Sequence, residues 1–168
     1  FDDKRSRQYP DISTFAFFCR KANILKLKKQ HSKHDHIRLG KGLIFHIAPS
    51  NVPVNFAYSL IAGLLSGNVN IVRVPSKNFE QVQIIIEAIN KISCKQKYSS
   101  ISKRIVLIQY DNKHEEITKD ISSICNFRVI WGGDSTIDSI RNHKLQPRAT
   151  DLTFSDRYSL CAINADKL

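Results

Sequence analysis

Asn51 is the side chain of this sequence best suited to stabilise negative charge on a reacting oxygen atom. It stands between an apolar run that ends at Ala48 and a helical apolar pattern that begins at Pro53. An asparagine amide at such a turn can donate a hydrogen bond to the oxyanion that forms when a nucleophile attacks a carbonyl carbon. The same amide also suits the N-terminus of the following helix as a cap. Both interpretations, oxyanion donor and helix cap, stay open on the sequence alone.

Arg73 and Lys77 place positive charge around the end of a second apolar run, beside Pro75 and Ser76. In dinucleotide-binding folds, the end of the second strand meets the adenosine ribose of the cofactor. A carboxylate at that point accepts hydrogen bonds from a free 2′-hydroxyl group, whereas a cation attracts a 2′-phosphate. The sequence therefore indicates a phosphate contact at Lys77, with an ordinary surface lysine as the alternative.

Gly132 and Gly133 follow a further apolar run and precede a helical pattern that starts near Asp134. A turn without side chains lets a pyrophosphate approach the backbone N–H groups at the start of the next helix. Taken alone, the glycine pair is a weak signal, because many strand-to-helix turns use glycine for the turn itself.

His46 and the cysteines are predicted to be structural. His46 lies inside an apolar run, where a histidine with satisfied hydrogen bonds is more common than an acid or a base. The cysteines stand far apart without a CxxC pair, which indicates neither a zinc site nor a disulfide framework. We therefore expect no metal, and we expect packing roles for Cys19, Cys94, Cys125 and Cys161.

Short apolar runs alternate with amphipathic patterns along the chain. Strands are predicted at 43–48, 69–74, 105–108, 127–131 and 158–163. Helices are predicted at 12–30, 53–65, 78–92, 114–124 and 135–142, and a charged loop over 28–38. The alternation predicts an α/β fold with a Rossmann-like parallel sheet flanked by helices. Ligands bind such sheets beyond the carboxyl ends of the strands, which is where Asn51, Lys77 and the glycine pair fall.

Composition and charge indicate a soluble domain with a strongly basic surface. The chain has 168 residues and a net charge of +11. It contains neither an apolar run long enough for a membrane span nor an apolar signal-peptide core at its start, so we expect a cytoplasmic protein. The densest basic stretch, 26–36, lacks interleaved aromatic residues, which disfavours nucleic acid as a ligand. We divide the chain into an N-terminal helix with a charged linker, 1–40, and a nucleotide-binding domain, 41–168.

Three segments, taken in chain order, resemble the aldehyde dehydrogenase superfamily. Residues 45–53 are similar to its strand, proline-x-asparagine-x-proline turn and helix. Residues 66–77 are similar to its segment of glycine-asparagine, strand and lysine-proline-serine-glutamate, and residues 129–135 to its phenylalanine-threonine-glycine-serine turn. Within the superfamily, the residues of these turns and of the tail 148–158 look like the acyl-CoA reductase family of the bacterial luminescence type.

The resemblance implies an enzyme that reduces long-chain fatty acyl-CoA to fatty aldehyde. In that family a cysteine thiolate attacks the thioester, CoA leaves, and hydride from the nicotinamide reduces the bound acyl group. By the spacing of the superfamily, this cysteine is expected beyond Leu168. The chain alone is therefore expected to supply the nucleotide-binding part and to be inactive. Thr153 matches the glutamate that activates water in the superfamily, and this replacement favours reduction over hydrolysis.

The resemblance also assigns residues to the cofactor site, with Asn51 as the oxyanion donor. Lys77 matches the glutamate that accepts from the ribose 2′-hydroxyl group, so NADPH is expected to be preferred, with NADH as the alternative. Asp134 matches the serine near the pyrophosphate. The full set of predicted cofactor-binding residues is Ala48, Pro49, Ser50, Arg73, Pro75, Ser76, Lys77, Gly132, Gly133, Asp134 and Ile137.

Two alternatives remain beside the reductase. One is a CoA-acylating or ordinary aldehyde dehydrogenase, which the preferred acyl chain length would distinguish. The other is a non-enzymatic basic α/β module for nucleic acid, whose binding would fall steeply with salt and ignore NADPH. For the full-length reductase, the resemblance further implies a homo-oligomer and an acyl-protein synthetase or transferase subunit as partner.

Overall fold

The computed structural model describes residues 3–32, 37–157 and 160–163. Its strands are β1 (Leu43–Ile47), β2 (Val69–Arg73), β3 (Ile105–Ile108), β4 (Phe127–Trp131) and β5 (Thr150–Phe154). Its helices are α1 (Pro10–Phe18), α2 (Lys21–His31), α3 (Asn55–Leu65), α4 (Glu80–Ser93), α5 (Ser99–Ser102), α6 (Glu115–Ile124) and α7 (Asp134–Arg141).

All the strands are parallel and form one sheet in the order β3-β2-β1-β4-β5. Helices α1, α3 and α4 contribute to the core on one face of the sheet, and α6 and α7 to the core on the other. The central strand β1 is apolar and buried, as a strand covered on both faces must be. The predicted α/β class with a parallel sheet is confirmed. Strand order reverses between β2 and β4 on the two sides of β1, and this switch point leaves a crevice at the carboxyl edge.

Helix α3 ends at a glycine turn that leads directly into β2. Gly67 has a φ of +80°, a left-handed conformation that glycine adopts without a steric penalty. Its N–H group donates to the Leu64 carbonyl at 2.9 Å, and the Asn68 N–H group donates to the Gly63 carbonyl at 3.1 Å. The two bonds form a Schellman motif, which satisfies carbonyl groups that the helix end would otherwise leave without partners.

Arg128 of β4 is a buried cation, with 1% of its surface exposed. Its Nε and Nη2 donate to the two carboxylate oxygens of Asp151 on β5, at 2.7 and 3.0 Å. Its Nη1 donates to Ser122 Oγ at 2.9 Å and to the His143 carbonyl at 3.2 Å. A buried charge is tolerated when it is paired and hydrogen-bonded in this way. The network joins β4 to β5, to α6 and to the segment that follows α7.

His46 of β1 is buried between α3 and β2, which confirms the prediction of a core histidine with hydrogen-bond partners. Its Nδ1 lies 2.8 Å from Ser59 Oγ, and its Nε2 lies 3.0 Å from Asn70 Oδ1. Because a carbonyl oxygen only accepts, Nε2 carries the proton and Nδ1 accepts from the Ser59 hydroxyl group. A Cβ at Gly63 would collide with Asn70 Oδ1, so glycine allows α3 to approach this cluster.

His46 should make the fold sensitive to acid. Burial lowers its pKa below the usual value of 6.5, so the unfolded chain binds a proton there more readily than the folded chain. The contribution is present above pH 6.5, and we expect the free energy of unfolding to fall as the pH drops below that value. Urea denaturation across this range measures the effect. His46→Gln should flatten the pH dependence, and His31→Gln, at an exposed position, should not. Identical slopes in wild type and His46→Gln would assign the acid sensitivity to other groups.

The N-terminal helix differs from its prediction. The sequence predicts one helix over 12–30, but the chain forms α1 and α2 with a break at Arg20, whose ψ of 141° is extended. At the break, Asn23 Nδ2 donates to the Phe18 carbonyl at 2.7 Å, a bond that apolar periodicity cannot reveal. Helix α2 also runs through the first residues of the predicted loop 28–38. Residues 33–36 of that loop lie outside the described residues.

Helix α1 belongs to the main core. Ile12 and Phe15 are buried in the same apolar cluster as α3 and α4. Phe15 and Phe18 also contact the ring of Tyr58, with ring centroids 4.9 and 5.1 Å apart. The buried face of α1 therefore packs on the domain that is predicted to begin after residue 40. The division of the chain at residue 40 stays a prediction.

The last strand also differs from its prediction. The sequence predicts a strand at 158–163, whereas β5 runs over Thr150–Phe154 and residues 160–163 lie in no strand. Residues 158 and 159 lie outside the described residues. Strand β5 alternates in burial, and one of its two more buried residues is Asp151, the partner of Arg128. A search for apolar runs passes over a strand whose inner face carries a carboxylate.

Candidate cofactor cleft

A cleft of about 700 Å³ opens at the carboxyl ends of β1, β2, β4 and β5. Parallel α/β sheets bind ligands at this edge, because the loops from strands to helices separate there. Nine of the twelve predicted site residues line the cleft, namely Ala48, Pro49, Ser50, Asn51, Arg73, Pro75, Ser76, Gly132 and Gly133.

The other three predicted residues do not line the cleft. Lys77 is exposed beyond the end of β2, and Asp134 is exposed in the first turn of α7. Ile137 is buried in the apolar core that also contains Phe45 and Ile130, since α7 turns its apolar face to the sheet. The structure thus separates Lys77, Asp134 and Ile137 from the residues that the sequence grouped with them.

Asn51 lines the cleft and does not cap α3. The N-cap of α3 is Val54, and no side chain bonds to the first turn of the helix there. At the start of α3, the Asn55 N–H group donates to the Val52 carbonyl, and the Ala57 N–H group donates to the Val54 carbonyl. Both are bonds of the turn type, across three residues. They place the helix start beyond the reach of an Asn51 cap. The capping alternative is therefore wrong, and the oxyanion-donor interpretation remains.

Of the two predicted cations, Arg73 lines the cleft, and the structure adds Arg157 to the lining. The chain neighbours of Arg73, Val72 and Val74, are buried in the core, so alternation along the extended chain points Arg73 the other way. The guanidinium carbon lies 4.4 Å from the ring centroid of Tyr110, and Nη2 donates to the Tyr110 carbonyl and to Asn112 Oδ1. These contacts position the side chain, while an arginine carries further N–H donors for a ligand.

The Gly132–Gly133 turn needs glycine because neighbouring side chains leave little room for a Cβ atom, and its backbone conformation is ordinary. Gly133 is the N-cap of α7 with a φ of −67°, which any residue adopts. A Cβ at Gly132 would lie 3.1 Å from Thr136 Cγ2, and a Cβ at Gly133 would lie 2.8 Å from Asp156 Oδ2. Without side chains, the turn leaves the N-terminus of α7 facing the cleft, with the exposed Asp156 carboxylate against Gly133, and helix N–H groups attract phosphate.

Sequence reasoning missed the wall that the ends of β4 and β5 form. Trp131 and Phe154 both line the cleft, and their rings stack with centroids 3.8 Å apart and planes at 10°. Ser155, Asp156 and Arg157 follow β5 and line the cleft too. Correct placement of β5 would have found them, because the carboxyl end of every parallel strand in this sheet meets the same edge. The further lining residues outside the predicted set are Ile47, Val52, Asn55, Val74, Asn112 and Thr136.

In the part of the chain that the structure describes, no cysteine lines the cleft. Cys125 is buried and Cys19 half-buried, and burial raises the pKa of both thiols. Cys94 and Cys161 are exposed, so the predicted packing role is wrong for these two. The described residues contain no cluster of three or more metal-ligating side chains. They also contain no helix long and apolar enough to span a membrane.

Solved aldehyde dehydrogenases share this fold. The glyceraldehyde-3-phosphate dehydrogenase GapN of Methanocaldococcus jannaschii, solved with NADP, matches 79% of the chain with a TM-score of 0.55 and 18% identity. The betaine aldehyde dehydrogenase of Staphylococcus aureus, solved with NAD+, matches 69% with a TM-score of 0.54 and 18% identity. The NAD-dependent benzaldehyde dehydrogenase of Corynebacterium glutamicum matches 68% with a TM-score of 0.52 and 17% identity. The chain spans 31%, 22% and 24% of these three proteins, respectively.

The chain thus has the α/β fold of the nucleotide-binding domains of aldehyde dehydrogenases. The sequence pattern of the family described as acyl-CoA reductase (LuxC) matches residues 21–167, which is most of the chain. The chain therefore belongs to the acyl-CoA reductase (LuxC) family. No curated protein matches it in sequence. The family inferred from the turn motifs is confirmed, and the fold agrees with the inferred superfamily.

Proposed function

We propose that the chain forms the nucleotide-binding part of an enzyme that reduces long-chain fatty acyl-CoA to fatty aldehyde with NADPH. Membership of the acyl-CoA reductase family supports an oxidoreductase that acts on acyl groups. The observation that carries the proposal is the cleft, which combines Asn51, Arg73 and the Gly132–Gly133 turn at the ligand-binding edge of the sheet. The acyl-enzyme forms on a cysteine elsewhere in the whole protein, because the cysteines of the described residues do not line the cleft.

The residues of the cleft fit a nicotinamide dinucleotide. The open N-terminus of α7 at Gly132 and Gly133 suits the pyrophosphate, and Arg73 at the end of β2 suits a ribose 2′-phosphate. Asp156 lies against Gly133, so an anion there requires this exposed side chain to change rotamer, a motion of low cost at a surface. When bound, the cofactor supplies hydride to the acyl carbon.

Two residues of this chain favour reduction of a thioester. Asn51 donates to the carbonyl oxygen of the substrate, where negative charge grows as the thiolate attacks. Thr153 on β5 stands where superfamily members carry the glutamate that activates water, and a hydroxyl group cannot act as that base at neutral pH. The acyl-enzyme is therefore left for reduction rather than hydrolysis.

Further parts of the proposal rest on the family resemblance. They are a cytoplasmic location, a homo-oligomer for the full-length enzyme, and an acyl-protein synthetase or transferase subunit as partner, as in reductases of the luminescence type. Gel filtration and co-purification with the candidate subunit test the two assemblies.

We expect the cleft to bind NADPH more tightly than NADH, and Arg73→Ala to remove most of this preference. A charge-assisted contact to phosphate contributes about 1.5–3 kcal/mol, which is about tenfold to a hundredfold in affinity. Trp131 is the one tryptophan of the chain and lines the cleft, so its fluorescence reports both titrations.

Lys77→Glu is the matched comparison for Arg73→Ala. The sequence predicts that it reverses or erases the cofactor preference, whereas the exposed position of Lys77 outside the cleft predicts a small change. A preference that survives Arg73→Ala and reverses with Lys77→Glu would make Lys77 the phosphate contact. Equal affinities of the wild type for both cofactors would contradict the NADPH preference itself.

The activity is tested with the whole protein. Palmitoyl-CoA should drive oxidation of NADPH and yield hexadecanal in equal amount, measured by absorbance and by mass spectrometry. A strong preference for short acyl groups would favour a CoA-acylating dehydrogenase instead. Salt-sensitive nucleic-acid binding without any cofactor binding would contradict the enzyme assignment.

A further inference from the structure

A second, apolar cavity lies in the helical layer on the α1, α3 and α4 side of the sheet. It has a volume of about 400 Å³ and is lined by α1, α3, α4, α5, Tyr98 and the start of β3. Leu60 and Ile85 at its base are almost fully buried. None of its lining residues lines the cofactor cleft, so the cavity is a separate site.

The exposed and half-buried lining of this cavity includes both apolar and polar residues. Ile92 and Ile101 line it and are 51% and 49% exposed, a considerable apolar area to leave in water. Ser93 and Tyr98 also line it, and the ammonium group of Lys97 lies 4.7 Å from the ring centroid of Tyr98. No acidic side chain is among the described residues that line the cavity.

We propose that this cavity binds a fatty acid, with the alkyl chain inside and the carboxylate at Lys97. The apolar walls favour a chain without polar groups, because a buried polar group without a partner is costly. The cation held on Tyr98, with no acidic side chain among the described lining residues, favours an anionic head group over a neutral or a positive one. A volume of this size lies within the range of small-molecule sites and accepts one unbranched chain.

Calorimetric titration of the purified protein with dodecanoate tests the site. We expect saturable binding that strengthens about threefold with each methylene from octanoate to dodecanoate, because each added group leaves water. Ala88→Phe fills the cavity and should weaken binding at least tenfold, while Ala22→Phe, at an exposed position of α2, should leave it unchanged. Absence of saturable binding, or equal binding by the two variants, would contradict the proposal.

The head-group contact is tested separately. Lys97→Glu should weaken dodecanoate binding about threefold to tenfold and leave 1-dodecanol within twofold of wild type. Lys119→Glu, on the opposite face of the sheet, should change neither ligand. If Lys97→Glu weakened the binding of both dodecanoate and 1-dodecanol, or of neither, the result would contradict the carboxylate contact.

A measurement on the unmodified protein is independent of these variants. Cys19 lines the cavity, so dodecanoate should slow its alkylation by N-ethylmaleimide while the exposed Cys94 reacts at an unchanged rate. Peptide mass spectrometry resolves the two sites. Unaltered alkylation of Cys19 at saturating dodecanoate would place the ligand elsewhere. These measurements do not involve NADPH, so their outcome is independent of the reductase assignment.

Discussion

Asp151→Ala should lower the free energy of unfolding by about 3–5 kcal/mol, a large part of the total stability of a domain of this size. The substitution leaves the guanidinium group of Arg128 buried without its carboxylate partner. It also removes a side-chain link between β4 and β5, which are paired through their backbones and together form one wall of the cofactor cleft. Urea denaturation followed by circular dichroism measures the change.

Arg141→Ala is the matched control for that prediction. Arg141 Nε lies 3.8 Å from the same Asp151 carboxylate, but its side chain is 52% exposed, so water replaces the lost contact. Its removal should cost less than about 1 kcal/mol. The double replacement Arg128→Met and Asp151→Leu removes both charges and should recover most of the stability. A loss after Asp151→Ala as small as that after Arg141→Ala would show that Arg128 finds another partner or reaches water.

Asn51→Ala should lower the turnover of the whole enzyme about 100- to 1000-fold, the usual effect of removing one oxyanion donor. Stability should stay near that of the wild type, since Val54 rather than Asn51 begins α3. The prediction rests on the proposed function. It is measured as acyl-CoA-dependent NADPH oxidation, with denaturation curves for both proteins.

Asn55→Ala is the control for Asn51→Ala. Asn55 is also an asparagine that lines the cleft, and it is the first residue of α3. Its substitution should leave turnover within a few fold of wild type. NADPH affinity should be unchanged in both variants, which separates a catalytic loss from a binding loss. Near-normal turnover of Asn51→Ala would remove the oxyanion role, and reduced stability of that variant would contradict the structural finding on the cap.

Much of the fold could be predicted because buried parallel strands are continuous apolar runs. Strands β1 to β4 and helices α3, α4, α6 and α7 lie within two residues of their predicted bounds at either end. Strand β5 could not be found in this way, since its inner face carries Asp151. The break between α1 and α2 was also hidden, because it depends on a side-chain bond from Asn23 to a backbone carbonyl.

Sequence patterns alone were enough to predict the α/β class, the family and the edge of the sheet where ligands bind. These follow from the alternation of elements and from turn motifs, because the carboxyl ends of parallel strands meet at one edge whatever their side chains. Only the tertiary structure decided that Arg73 rather than Lys77 enters the cleft. It also decided that Asn51 caps nothing and that Arg128 pairs with Asp151. Those outcomes depend on strand alternation, register and the first residue of a helix, which are set by packing between segments distant in the chain.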